Sequence, residues 1–308
     1  MRKVIGVGET ILDILFKNGQ PFRAVPGGSV FNGFVSLSRA GIPVEFISEL
    51  GRDKIGQIIR DFMDENGLTT DYVDCFPMGK SPISLAFLDD DRNAEYLFYK
   101  DYPSQRLEVM YPKIEANDIF IFGSYYALNP ALRGRILELL EYAAERKAII
   151  YYDPNFRNAH AHEAMKLKSS FLENFEFSDI IRGSDEDFKN IFGHADMREI
   201  YENEIRFYCN TLITTNGDRG VDLFYGNNSL HIDSESTEVA STIGAGDNFN
   251  AGILLGLIKH HVYRENLKDM TEEDWEKVIR CGIDFATESC KTYENYVSRE
   301  FAAGYMGQ

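Results

Sequence analysis

Apolar runs of four to five residues alternate with helix-period segments along almost the whole chain. Val4–Val7, Val44–Ser48, Ile119–Phe122, Ala148–Tyr152, Asp179–Arg182 and Thr211–Thr215 read as buried strands. Ser29–Ala40, Lys54–Asn66, Ala131–Arg146, Ala245–His260 and Glu272–Lys291 read as helices. Gly41-Ile42-Pro43 stops the first helix and Gly67 ends the second. Such alternation requires crossover connections, so it predicts an α/β fold with a central, mainly parallel sheet covered by helices. The 308 residues allow one large α/β domain or two modest ones. Neither a repeat nor a linker divides them, so residues 1–308 are expected to form a single domain.

Two regions break the rhythm. Residues 11–25 and about 72–100 lack a helix pattern and carry β-type runs at Ile11–Phe16, Pro82–Leu88 and Glu95–Tyr99. Inserted strands of this kind form either a flap beside a site or an extension of the main sheet.

The bulk numbers exclude several classes. A net charge of −17 with no Lys/Arg cluster argues against a nucleic-acid binder. No window approaches 18 uninterrupted apolar residues, so no membrane span is expected. The amino terminus runs straight into a strand without a signal-peptide pattern. The four cysteines lack CxxC spacing, which suits reduced thiols in a cytoplasmic protein.

Residues 241–252 carry the strongest chemical signal. Gly244, Ala245 and Gly246 are small residues whose backbone N–H groups can converge on an anion, and a helix follows. Asp247 stands at that helix start. An acid there repels a phosphate, which makes sense if it takes a proton from a hydroxyl attacking that phosphate. The plainer reading is an ordinary acid in a first helical turn.

Other segments weigh less alone. Pro26-Gly27-Gly28-Ser29 opens a helix with Asn32 in its first turn, a pairing of close backbone approach and amide that suits a neutral polyol. The plainer reading is a turn with Ser29 as N-cap. Asp13 follows the first strand and could accept hydrogen bonds from sugar hydroxyls. Asp153-Pro154-Asn155-Phe156-Arg157 follows a buried strand, where ligands of open α/β sheets bind. Thr214–Gly220 also follows a strand, and its glycines suit either a nucleotide or a hairpin turn. Three motifs fail. Gly6-Val7-Gly8 lacks the third glycine of a dinucleotide fingerprint; Gly79-Lys80-Ser81 lacks the first glycine of a P-loop, having Asp74 instead; and His160, His162 and His194 lack metalloprotease spacing.

Taken together, these pieces resemble the ribokinase-type (PfkB) carbohydrate kinase family over nearly the whole chain. Gly27-Gly28 with Asn32 resembles its amino-terminal signature. Gly51-Arg52-Asp53-Lys54-Ile55-Gly56 resembles its GxDxxG turn. Asp153-Pro154-Asn155-Phe156-Arg157 is similar to its DxNxR segment, and Thr242–Asp247 to its carboxy-terminal signature. The resemblance implies a three-layer α/β/α ribokinase-like fold with a small β-sheet lid. It implies transfer of the ATP γ-phosphoryl to a primary sugar hydroxyl, with Mg²⁺ on the phosphates. Asp247 would be the base and Gly244, Ala245 and Gly246 the anion hole. Asp13, Gly27, Gly28, Asn32, Lys100, Asn155 and Arg157 would meet the sugar or its phosphate. Ser184, Thr215, Gly217 and Gly220 would border the nucleotide, and Asp187 would reach Mg²⁺ through water. A strand-rich lid is able to pair into a homodimer, an expectation by analogy.

Two departures stand out. The family's Asn-x-x-Glu is here Ser184-Asp185-Glu186-Asp187, one methylene shorter at its carboxylate. Ser241 replaces an Asp that helps relatives bind a monovalent cation, so K⁺ activation is expected to be weak or absent. Gly8-Glu9-x-x-x-Asp13 and Phe98–Pro103 look most like fructokinase-type members. The aromatic-rich flap (Phe87, Tyr96, Phe98, Tyr99, Tyr102) suits packing on a sugar face, on a second subunit or in a core. Fructose leads as substrate and 2-keto-3-deoxygluconate follows, because Lys100 keeps an Arg's charge without its bidentate fork. Ribose and nucleosides come after. The competing class is a non-catalytic sugar- or nucleotide-binding relative.

Overall fold

A computed structural model describes residues 2–88, 94–234, 237 and 239–305. Nine strands form the main sheet: β1 (Val4–Val7), β4 (Val44–Gly51), β5 (Val73–Phe76), β8 (Ile119–Gly123), β9 (Ile149–Asp153), β10 (Ile180–Ser184), β11 (Thr211–Thr215), β12 (Val221–Tyr225) and β13 (Asn228–Ile232). The order is β13-β12-β11-β10-β9-β8-β1-β4-β5. Strands β11 through β5 in that order run parallel, while β12 and β13 form an antiparallel hairpin on the edge.

Strand β1 shows why both faces are covered. Val4 packs into the core beneath helices Ser29–Arg39, Ala245–Lys259 and Glu272–Cys290. Ile5 and Val7 point into the opposite core, under helices Arg133–Glu145 and Ala164–Phe177. The period-two alternation thus feeds two apolar layers, as expected for a parallel sheet between helices. Gly6 has a packing role: a Cβ there would sit 2.6 Å from Phe34 Cζ and 2.8 Å from Val30. Its absence lets helix Ser29–Arg39 lie directly on β1.

The second sheet has four strands: β2 (Ile11–Lys17), β3 (Gln20–Gly27), β6 (Lys80–Leu88) and β7 (Ala94–Asp101), in the order β3-β2-β6-β7. β2 and β6 pair in parallel, with Leu12 opposite Ile83 and Lys17 opposite Leu88. The two irregular regions therefore meet in one flap. One boundary is corrected: Val73–Phe76 is the edge strand of the main sheet, paired with β4 at Ser48–Val73, and the flap begins at Lys80. Phe16 stacks on Phe87 inside this sheet, with ring centroids 4.8 Å apart. Leu97, Phe98 and Tyr99 are exposed. The Tyr96 side chain lies outside the described residues.

Candidate active site

The predicted site residues gather at the carboxyl ends of β1, β9, β10 and β11, closed on one side by two helix starts. Gly28 caps helix Ser29–Arg39 with φ 137°, ψ 141°. A Cβ at Gly28 would strike the carbonyl of Glu9, so only glycine lets the two segments touch. This corrects the N-cap reading of Ser29, which is the first residue of the helix rather than its cap. Asn32 projects one turn later, and its Nδ2 donates to Asp247 Oδ2 at 2.8 Å. The helices cross closely because Gly33 has no side chain; a Cβ there would sit 3.0 Å from the Asp247 carbonyl oxygen. Asn32 Oδ1 is buried with no partner among the described residues.

Gly244 begins helix Ala245–Lys259 in the left-handed region, at φ 81°, ψ −4°. A Cβ would lie 2.9 Å from Asn295 O. Asn248 fixes the turn, donating through Nδ2 to Gly244 O (2.8 Å) and Asn295 O (2.9 Å). Of the three expected anion-hole amides, that of Ala245 already donates to Thr242 O at 3.2 Å. The amides of Gly244 and Gly246 make no hydrogen bond among the described residues. They are the open donors of this helix start.

Asp247 is 8 % exposed. Burial lifts its carboxyl to about 7, against the lowering effect of the Asn32 amide and of the nearby Arg157. A carboxylate that titrates near neutrality in a buried site is suited to exchange a proton with a hydroxyl.

Beneath the Gly244–Gly246 turn lies a buried ionic network. Arg182 reaches Asp153 Oδ2 through Nη1 (3.1 Å) and Thr215 Oγ1 through Nη2 (2.6 Å), joining β9, β10 and β11. Asp153 also accepts from Asn250 Nδ2 (2.5 Å) and from the Asn155 amide (3.0 Å). Burial raises the Asp153 carboxyl and the guanidinium opposes that rise; with three donors around it, the ionised form is held. Arg182 Nε is buried without a partner among the described residues. A Cβ on Gly246 would sit 3.1 Å from Arg182 Nη1, so the missing side chain leaves room between the guanidinium and the helix start. Sequence reading missed Arg182, treating it only as a strand end. The available signal was a charged residue within the apolar run Ile180-Ile181, two positions before Ser184.

Asn155 adopts φ 38°, a left-handed conformation that Asn tolerates better than most residues. Arg157 is exposed beyond it. Ser184 and Thr215 are register partners on β10 and β11. Ser184 caps helix Asp185–Phe192, and Asp187 Oδ2 accepts from the Ser184 amide and hydroxyl, both at 2.7 Å. Gly217 (φ 63°) and Gly220 (φ 95°) shape the turn from β11 into antiparallel β12. The loop is thus the hairpin turn, one of its two expected forms. Ser241 is buried and accepts the Ile243 amide at 3.2 Å.

Of the residues expected to meet the sugar, Asp13, Gly27 and Lys100 lie on strands of the flap, whereas Gly28 and Asn32 lie at the helix start beside Asp247. Asp13 lies on β2 and accepts a hydrogen bond from Ser84 Oγ. Burial pushes its carboxyl to about 6. Gly27 packs against that carboxylate. Lys100 donates to Glu9 Oε2 (2.7 Å), and Tyr102 donates to Glu9 Oε1 (2.6 Å). Arg106 lies 3.6 Å from the Tyr102 ring centroid and pairs with buried Glu49, which also accepts from Tyr126 (2.9 Å). Among the described residues, no three His, Cys, Asp or Glu side chains cluster to hold a metal. No described helix is long and apolar enough to cross a membrane.

Residues 1–300 match the family model described as pfkB family carbohydrate kinase. Fructokinase of Rhizobium leguminosarum bv. trifolii is 26% identical over 262 residues, 82% of this chain and 79% of that protein. Fructokinase-1 of Zea mays is 23% identical over 281 residues, 87% of each. Among solved structures, a double mutant of Vibrio cholerae O395 fructokinase, bound to fructose, ADP and potassium ion, has a TM-score of 0.84 at 16% identity. That match covers 99% of this chain and 98% of the other. Salmonella enterica aminoimidazole riboside kinase, with aminoimidazole riboside and an ATP analogue, has a TM-score of 0.79 at 20% identity, covering 99% and 100%. These two show the ribokinase-like fold. By the match over residues 1–300, the chain belongs to the pfkB family of carbohydrate kinases.

Proposed function

We propose that residues 1–308 form a single domain that transfers the γ-phosphoryl of ATP to a primary hydroxyl of a neutral sugar, with fructose the leading candidate. The observation that carries this is Asp247: buried, its carboxyl lifted by burial to about 7, and set beside the turn whose Gly244 and Gly246 amides have no hydrogen-bond partner among the described residues. The sugar hydroxyl oxygen attacks the γ-phosphorus, its proton passes to Asp247, and the bond to the β-phosphate oxygen breaks to release ADP. The two glycine amides stabilise charge on the transferred group. Arg182 positions Asp153 and Thr215 below it. Asp13, Gly27, Gly28 and Asn32 hold the sugar, with Asn32 Oδ1 available as an acceptor. Asn155 and Arg157 lie beside the transferred phosphate. Ser184, Thr215, Gly217 and Gly220 border the nucleotide. The small sheet serves as the lid, and two copies pair through it.

Among the described residues the carboxylates form no cluster that would cage magnesium, so the ion would be carried mainly by the nucleotide phosphates, and Asp187 would meet it through water. Magnesium there neutralises phosphate charge. The Ser241 hydroxyl accepts a backbone amide and supplies no carboxylate, so K⁺ activation is weak.

Lys100 favours fructose over a keto-deoxy acid: its ammonium is paired with Glu9, which leaves it without a vacant charge for a substrate carboxylate. The test is an ATP-consumption screen over fructose, ribose, nucleosides and 2-keto-3-deoxygluconate, with and without K⁺. Fructose is expected to turn over fastest, with little response to K⁺. Preference for the keto acid overturns the fructose reading, and strong K⁺ stimulation overturns the Ser241 reading. Sugar binding without any turnover supports a binding protein instead.

A further inference from the structure

Outside the catalytic cleft, a cavity of about 560 Å³ lies between the Gly51–Gly56 turn, helix Lys54–Glu65 and β5. It is lined by Arg52, Asp53, Lys54, Gln57, Arg60 and Cys75. The volume lies within the usual range for small-molecule sites. Three of its six residues are cations, in a chain of net charge −17.

Among the described residues, none of these three cations forms an ion pair with a carboxylate. Arg52 Nε donates to Cys75 O (2.7 Å), and Arg60 reaches Cys75 Sγ (3.2 Å) and Gln57 Oε1 (3.0 Å). Lys54 is exposed, with no hydrogen bond to the fold. The carboxylates around them are engaged elsewhere. Asp53 accepts the amides of Gly56 and Ser81, both at 2.8 Å. Asp61 accepts from Gln57 Nε2, and Asp74 accepts the Glu108 amide. Arg52, Lys54 and Arg60 outnumber Asp53, the carboxylate that lines the cavity with them, so the lining keeps a net positive charge that a bound anion would offset. Two guanidiniums and an ammonium suit a phosphate, which arginine grips bidentately. The acidic chain and the concave shape oppose a nucleic acid.

We propose that this cavity binds a small phosphate-bearing molecule as an effector. The site adjoins the root of the flap, because Ser81, the second residue of β6, is held by Asp53 and by a bond from the Gly51 amide to Ser81 Oγ (2.9 Å). A ligand gripping Arg52 and Lys54 pulls on the residues that hold β6, so occupancy changes sugar affinity. Only this coupling rests on the kinase reading; phosphate binding stands or falls without it.

The test is calorimetric titration of the full-length protein with inorganic phosphate and, separately, with glycerol 3-phosphate. The wild type is expected to bind the organic phosphate more tightly, and the double variant Arg52→Gln/Arg60→Gln to weaken one class of sites at least tenfold, with kcat at saturating substrates unchanged. Equal affinity for both probes identifies free phosphate as the ligand and overturns the effector assignment. Lys54→Gln touches no bond of the fold and is expected to weaken binding at least threefold; it decides the matter if the double variant unfolds. The absence of heat in the wild type, or isotherms that coincide across all three proteins, overturns the site.

Discussion

The proposed phosphoryl end and the proposed sugar end of the cleft both hold charged clusters, but the two clusters differ in burial. At the phosphoryl end, Asp153, Arg182 and Asp247 are buried, and their hydrogen-bond partners Asn32, Asn155, Thr215 and Asn250 come from four separate segments. At the sugar end, Glu9, Lys100 and Tyr102 are more open and tie the end of β7 to the segment after β1. A buried charge cannot lose its partner cheaply, whereas a half-exposed one can. The first cluster therefore fixes geometry, while the second can change with the substrate. This separation would let chemistry persist while specificity drifts.

The largest effect should come from Asp247, the proposed base. Asp247→Asn keeps the Asn32 contact and removes the proton acceptor; kcat is expected to fall by roughly 10²–10⁴-fold, with sugar affinity by calorimetry changed less than about threefold. A variant that retains turnover breaks the assignment. Next comes Arg182→Met, which leaves Asp153 buried and uncompensated. Urea unfolding should show a loss of about 3–5 kcal/mol, and the double variant Arg182→Met/Asp153→Asn should regain part of it. A loss under about 1 kcal/mol would place both ends of the cleft in one category.

A pH series sharpens the contrast. The folded-state value of Asp247, about 7, lies above the ordinary 3.8. The folded protein therefore keeps a proton that the unfolded chain releases earlier. Its contribution to stability is complete below pH 4 and is lost as pH rises to 7. Asp247→Asn should thus be the more stable protein at pH 8, by on the order of a few kcal/mol, with the gap closing toward pH 4. In the wild type, kcat/KM should rise through a limb near pH 7. The smallest effect belongs to Lys100→Gln: about 0.2–1 kcal/mol in stability and less than about a threefold change in the KM for fructose. A loss of thirtyfold or more would mean that Lys100 meets the sugar itself.

Local signals carried most of the fold. Alternating apolar runs located the parallel strands, and Gly41 and Gly67 ended their helices near the expected points. Val73–Phe76 was misassigned because four residues of edge strand carry too little pattern to show which sheet they join. The Val221–Tyr225 and Asn228–Ile232 hairpin was missed for the same reason. In the site, Asp247 and Asn32 stood out because glycines flank them. Arg182 did not, because its meaning lies in Asp153 and Thr215, 29 and 33 residues away. Likewise, nothing local in the sequence distinguishes Lys100 as the partner of Glu9, 91 residues earlier.

The parallel pairing of β2 with β6 has a kinetic consequence. These strands are separated by β3, the Ser29–Arg39 helix, β4, the Lys54–Glu65 helix and β5. They cannot zip together as a hairpin; their meeting waits until the chain between them has collapsed onto β1. The flap should therefore be among the last parts to gain amide protection during refolding and among the first to lose it in native-state hydrogen exchange. An enzyme that must admit a sugar and then cover it would draw on that low opening cost.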